Sequence, residues 1–149
     1  MSPTLNQKPT SPSVLVADDD VLIQRWIVAL LRQLGCSGMV VGDGQQALSC
    51  LRERSFALVL LDVSMPVLDG LATLAQLRRR EAQDGRGARQ TVVMVTAHAE
   101  PGDVARLHAA GADGYVAKPL IPTLFNREIR RCLARAGAID PLQESETPA

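Results

Sequence analysis

Residues 58–70, LVLLDVSMPVLDG, decide the fold: an apolar run ends on Asp62 and is followed at once by Ser64, Pro66, Asp69 and Gly70, residues that turn or cap a chain. An apolar run without alternation, bounded by turn residues, reads as a parallel strand covered on both faces, with Asp62 at its carboxyl end. Doubly wound α/β proteins keep their reactive groups at that end of the sheet. The same grammar recurs along the chain. SVLVADDD (13–20) closes on Asp18 and Asp19, VVMVT (92–96) on Thr96, and GYVAK (114–118) on Lys118. These strand ends are expected to converge on one crevice.

Short apolar runs at 13–17, 39–42, 57–61, 91–95 and 114–117 alternate with segments of helical period at about 20–34, 44–54, 69–80, 102–110 and 121–136. Parallel neighbours need crossovers, and crossovers are right-handed, so the alternation predicts an α/β fold: a five-stranded parallel sheet with five helices, on both faces. Gly35 and Gly111 stand where helices stop on a left-handed residue. Asp20 and Asp69 suit helix N-termini. EAQDGRGARQ (81–90) reads as the longest internal loop. Residues 1–12 and 137–149 carry too little apolar content to pack and are expected to be disordered tails flanking one domain, 13–136.

Composition narrows the function classes. The chain has 149 residues with 46% hydrophobic content, enough for one core. Sixteen basic and sixteen acidic residues cancel, so no global field draws it to nucleic acid or to an anionic membrane. No stretch approaches the ~20 apolar residues that cross a bilayer, and MSPTLNQKPTSPS lacks the regions of a signal peptide, so a cytoplasmic location is expected. Cys36, Cys50 and Cys132 have neither pairing nor metal-site spacing and read as buried or half-buried thiols.

One carboxylate to modify, a pair of acids to hold a divalent cation, a hydroxyl and a lysine are together what phosphoryl transfer to aspartate requires. VLVADDD, LVLLDVSMPVLDG, VVMVTAHA and AGADGYVAKPL, in this order and spacing, resemble the four signature blocks of response regulator receiver domains over roughly 13–136. The last two blocks are more similar to the receivers of hybrid kinases and phosphorelays than to those of transcription factors. The resemblance implies the flavodoxin-like strand order 2-1-3-4-5 and phosphorylation of Asp62 from a phosphohistidine donor. It further implies Mg²⁺ held by Asp19 and Asp62 directly, by Asp18 through water and by the backbone carbonyl of Ser64. Lys118 would hold phosphoryl oxygens, Thr96 would donate a hydroxyl hydrogen bond, and Ala97 would leave room for the phosphoryl group. A cis Lys118–Pro119 bond is usual in the family. Tyr115 stands at the family's aromatic switch position, and Ser64 and His98 flank the path of attacking water.

On this reading the chain is an autocatalytic acceptor with slow self-dephosphorylation, not a turnover enzyme, and it signals through helix four, strand five and helix five. Its expected partners are a histidine kinase or histidine phosphotransfer protein and a downstream protein effector or fused domain, with no direct nucleic-acid or membrane contact. In DVLIQRWIVALLRQLG (20–35), Ile23, Ile27, Leu30 and Leu34 should face the sheet, leaving Leu22 and Trp26 adjacent on a flank as a docking anchor. The alternative is a pseudo-receiver that binds partners without phosphate, which the intact Asp19, Asp62, Thr96 and Lys118 argue against. A haloacid-dehalogenase-type phosphohydrolase wants an acid where Ser64 stands. A flavodoxin would need a phosphate cradle where the three aspartates 18–20 would repel phosphate.

Overall fold

The computed structural model describes residues 11–85 and 87–140. Five βα units follow one another: β1 (Ser13–Ala17), α1 (Val21–Gln33), β2 (Ser37–Val41), α2 (Gly44–Glu53), β3 (Leu58–Asp62), α3 (Gly70–Asp84), β4 (Val92–Thr96), α4 (Pro101–Ala109), β5 (Gly114–Ala117) and α5 (Pro122–Arg135). All pairings are parallel and the order is β2-β1-β3-β4-β5. β3 and β4 are buried along their whole length, as strands with helices on both sides must be.

Side-chain alternation divides the sheet into two cores. Val14, Val16, Leu58, Leu60, Val93 and Val95 pack with Ile27, Leu30 and Leu31 of α1 and Phe125, Ile129 and Leu133 of α5. Leu15, Val59, Leu61, Val92 and Met94 pack on the other face with Ala47 and Leu48 of α2, Leu74 and Leu77 of α3 and Leu107 of α4. Each fully buried Leu or Val contributes roughly 1.5–3 kcal/mol, so a register slip that turned either set outward would be costly. Cys36 and Cys132 are buried and Cys50 is half-buried, all as free thiols.

Three details depart from the sequence reading. β2 begins at Ser37, not 39, because Ser37 pairs with Ser13 and an edge strand tolerates the polar start SG. The stripe of α1 is wider than predicted: Leu31 is fully buried while Ile23 and Leu34 are only partly so. The helix lies over the sheet edge, where a Cβ at Gly38 would sit 3.1 Å from Val28 Cγ2 and 3.4 Å from Leu31 Cδ1. α3 runs on to Asp84, into the segment expected to be loop, because Glu81 pairs with Arg78 one turn earlier at 2.8 Å and left-handed Gly85 (φ 66) stops the helix only there.

The expected tails lie largely outside the described residues. Where they are described, the Pro12 carbonyl accepts from Ser37 N–H at 2.9 Å, and Ala138 and Ile139 pack against the first core.

The sharpest backbone approach in the fold lies under Asp62. A Cβ on Gly70 would fall 2.2 Å from the Asp62 carbonyl oxygen and 2.9 Å from Val63 Cα, both backbone atoms that no rotamer change can clear. Gly70→Ala should therefore lower stability by about 2 kcal/mol or more in urea unfolding, a cost of the overpacking kind. Gly102→Ala in α4, where a Cβ meets nothing within 4 Å, should be neutral or slightly stabilising. Equal melts for the two variants would contradict the close packing of α3 on the β3 end.

Candidate functional site at the carboxyl edge of the sheet

The β1 end presents Asp18, the β3 end Asp62, and the turn after β5 brings Lys118 over both. Asp18 and Asp62 are 1% and 4% exposed, while Asp19 is exposed. One carboxylate oxygen from each of Asp18, Asp19 and Asp62 lies within 4.8 Å of the others. Lys118 Nζ donates to Asp62 Oδ2 at 3.0 Å and stands 3.5 Å from Asp18 Oδ2. The second contact is an ion pair without hydrogen-bond geometry, so Asp18 Oδ2 stays buried with no hydrogen-bond partner. The peptide Lys118–Pro119 is cis.

Local sequence explains how these groups are held. Asp20 caps α1 by accepting from Leu22 and Ile23 N–H, and its own N–H donates to Asp18 Oδ1 at 2.9 Å. Ser64 N–H donates to Asp62 Oδ1 at 3.2 Å, which fixes the carboxylate against the β3–α3 turn. Gly70 N–H returns to the Val63 carbonyl at 2.9 Å, and Asp69 caps α3 through Ala72 N–H at 2.8 Å. Within the same turn Val67 has φ 68, the one non-glycine residue with positive φ among the described residues. A β-branched residue there costs about 1–2 kcal/mol.

Electrostatics follow from burial. Desolvation pushes the Asp18 carboxyl up to about 6; the Asp20 N–H and the Lys118 ammonium oppose the rise, and the neighbouring Asp62 adds to it. Burial alone would lower Lys118, but its hydrogen bond to Asp62 and the charges of Asp18 and Asp62 outweigh that, and the net shift is upward. A buried oxygen without a hydrogen-bond partner, beside two further carboxylates, suits a hard divalent cation with oxygen ligands.

Of the other residues singled out in the sequence, Thr96 is buried beside this cluster, but its hydroxyl donates to the His98 carbonyl at 2.9 Å and accepts from His98 N–H at 3.0 Å. Ser64, Ala97 and His98 are exposed at the rim. Tyr115 is half-buried against the second core, and its N–H donates to Glu128 Oε2 at 3.1 Å. Leu22 and Trp26 are 73% and 44% exposed on α1.

Sequence reasoning missed Gln24, whose side-chain amide donates to the Asp18 carbonyl and, at 3.5 Å, to that of Val41. Its place one turn after the Asp20 cap was the available signal. A cleft of about 1060 Å³ opens at the opposite end of the sheet among residues such as Arg54, Phe56 and Gln90, away from Asp18, Asp19 and Asp62.

Similarity to known proteins points to one family. Residues 14–130 match the family model of the response regulator receiver domain. The chain is 36% identical over 117 residues to hybrid signal transduction histidine kinase I of Dictyostelium discoideum, covering 75% of this chain and 7% of that protein. It is 36% identical over 122 residues to the DNA-binding response regulator MtrA of Mycolicibacterium paratuberculosis, covering 82% of this chain and 51% of that protein. The chain thus spans at most about half of these two relatives. Among solved structures, the receiver domain of sensor histidine kinase PA1611 of Pseudomonas aeruginosa, with a magnesium ion in its active-site cleft, superposes with a TM-score of 0.70 at 30% identity, covering 86% of this chain and 99% of that one.

The Asp18 shift gives a pH test. Its folded pKa of about 6 lies above the ordinary 3.8, so the folded state binds the proton more tightly and the stability this contributes is lost as pH rises through 6. In chelator, the advantage of Asp18→Asn over the parent should therefore grow between pH 4 and pH 7 by up to roughly 3 kcal/mol, read by urea unfolding. A gap that stays constant across that range would contradict the burial of an ionisable Asp18.

Proposed function

The chain belongs to the response regulator receiver family, and from that footing we propose that it is a phospho-acceptor switch of a two-component or phosphorelay pathway. Asp62 takes the phosphoryl group from a phosphohistidine on a histidine kinase or histidine phosphotransfer protein. The observation that carries this reading is the placement of Asp62 at a strand end, 3.0 Å from Lys118 and clustered with Asp18 and Asp19. A carboxylate nucleophile needs no general base. An Asp62 oxygen forms a bond to phosphorus as the histidine N–P bond breaks, and the imidazole leaves with the electron pair.

Asp19 and Asp62 directly, Asp18 through water and the Ser64 carbonyl would hold Mg²⁺, for which the unpartnered Asp18 Oδ2 supplies the fit. The ion supplies charge neutralisation at the phosphoryl oxygens when bound. Lys118 is positioned to exchange part of its contact with Asp62 for a phosphoryl oxygen. Ala97 leaves the entry open, while Ser64 and His98 at the rim govern water access and so the lifetime of the acyl phosphate. The chain turns over no substrate beyond its own acceptor and its self-dephosphorylation.

Thr96 and Tyr115 connect this chemistry to a surface. In the present conformation the Thr96 hydroxyl is committed to the His98 backbone. Redirected to a phosphoryl oxygen, it releases the β4–α4 loop, and Tyr115, half-buried on the adjacent strand β5, follows into the space. The α4–β5–α5 face then changes its preference among protein partners. Such a switch needs only about 1–3 kcal/mol of differential contact. Leu22 and Trp26 anchor the histidine-bearing partner beside the crevice. We place the signalling in the cytoplasm and assign no nucleic-acid contact to this domain, because its sixteen basic and sixteen acidic residues cancel.

Intact mass after treatment with acetyl phosphate and Mg²⁺ tests the acceptor. One phosphoryl group should be added, and the addition should vanish in Asp62→Asn and in chelator. Undiminished labelling of Asp62→Asn would remove Asp62 from the role.

Trp26→Ala separates docking from chemistry. It should slow transfer from the cognate histidine protein at least about tenfold, the loss of one buried aromatic anchor, while acetyl phosphate labelling stays unchanged. Equal slowing with both donors would reduce Trp26 to a support of the fold.

A further inference from the structure

Away from the acids, the α2–α3 side of the molecule carries a second concentration of charge, of opposite sign. Gln76, Arg79, Arg80 and Gln83 recur at the i, i+3, i+4, i+7 spacing of one helical stripe on α3, and together with Arg52 of the last turn of α2 they line a cleft of about 200 Å³. No carboxylate lines it. Among the described residues no salt bridge engages Arg52, Arg79 or Arg80. The neighbouring Arg78 of the same run is fully committed elsewhere, to Glu81, Asp113 and the carbonyls of Gly111 and Gln90.

Of the remaining three arginines, Arg52 and Arg80 lie within reach of each other's charge. Arg80 is half-buried and donates to the Leu48 carbonyl of α2 at 3.2 Å, which fixes its guanidinium between the helices. Burial and the nearby charge of Arg52 both loosen its proton. An uncompensated pair of cations lowers stability, and a bound dianion would reverse the sign of that contribution. Guanidinium forks match the oxygens of phosphate in paired, parallel hydrogen bonds, and the two glutamine amides add neutral donors.

We propose that this cleft binds the phosphate group of a small phosphorylated molecule, held by Arg52, Arg79 and Arg80. The site is separate from the Asp62 crevice. Arg52, Arg80 and Gln83 also line the 1060 Å³ cleft at the amino edge of the sheet, so the rest of such a molecule has adjoining space. A phosphate dianion suits the site better than a single carboxylate, because three guanidinium groups and no carboxylate line it.

The test uses the full chain in chelator, with pyrophosphate, ATP, acetate and a glutamate-rich peptide as probes at matched ionic strength, followed by amide NMR shifts. Pyrophosphate and ATP should give saturable shifts in residues 48–54 and 76–83, and not at Asp62, Thr96 or Lys118. Arg52→Gln should weaken that binding roughly tenfold, the loss of one charge-assisted contact. Because Arg52 is exposed, the variant should keep its fold, and at low salt its melting temperature should equal or exceed the parent's once Arg80 loses a like-charged neighbour. Absence of saturable shifts below about 10 mM phosphate probe, affinity unchanged in Arg52→Gln, or preference for acetate or the acidic peptide would each overturn the proposal.

Discussion

Asp18 and Asp62 stand at adjacent strand ends with 1% and 4% exposure, and the carboxyl edge of the sheet is organised around keeping them there. Carboxylate oxygens of the two lie within 4.8 Å of each other, and like charges at that range repel by roughly 3–4 kcal/mol at an effective dielectric of about 20, a large share of a domain's net stability. The compensation is parsimonious. Lys118 stands between the two, the Asp20 N–H serves Asp18, and the Ser64 N–H serves Asp62. Burial first, and the Asp62 charge after it, still push Asp18 up to about 6, and its Oδ2 has no hydrogen-bond partner. Such a cluster of carboxylates has the chemistry that suits a hard divalent cation.

Apart from Lys118, which reaches Asp62 from 56 positions away, the supporting contacts are local in sequence, which is why so much of the site could be read from residues alone. The acids 18–20 divide their labour within three positions: Asp20 caps the helix, Asp18 is turned inward by the Asp20 N–H, and Asp19 faces solvent. Apolar runs without alternation identified β3 and β4, and their last residues identified Asp62 and Thr96. The strand order came through the family resemblance, since periodicity alone says nothing about which strand lies beside which.

What escaped the sequence depends on contacts distant along the chain. Nothing in SGMVV announces that its first two residues pair with β1, because that pairing is satisfied by the backbone of Ser13 and Val14. The extension of α3 to Asp84 rests on Glu81, which pairs with Arg78 and also accepts from Gln90 N–H at 2.7 Å across the following loop. The engagement of the Thr96 hydroxyl by the His98 backbone is likewise a property of the loop conformation, not of residue type. Gly70 was legible as a helix start, but the 2.2 Å approach to the Asp62 carbonyl that excludes any side chain there was not.

The two ends of the sheet solve opposite problems. At the amino edge, Arg78 donates to the Gly111 and Gln90 carbonyls and to Glu81 and Asp113, while Asp113 also accepts from Val92 N–H at 2.9 Å. Half-buried charge there is met by opposite charge and by backbone, so the starts of β4 and β5 are tied to α3. At the carboxyl edge the same two strands end on Thr96 and Lys118, whose polar groups hold exchangeable partners: a loop carbonyl for one, two competing carboxylates for the other. A strand pair clamped at one end and loosely committed at the other can move its free end without losing register. That asymmetry leaves the β4–α4 and β5–α5 turns less tightly held than the amino-edge starts of the same strands.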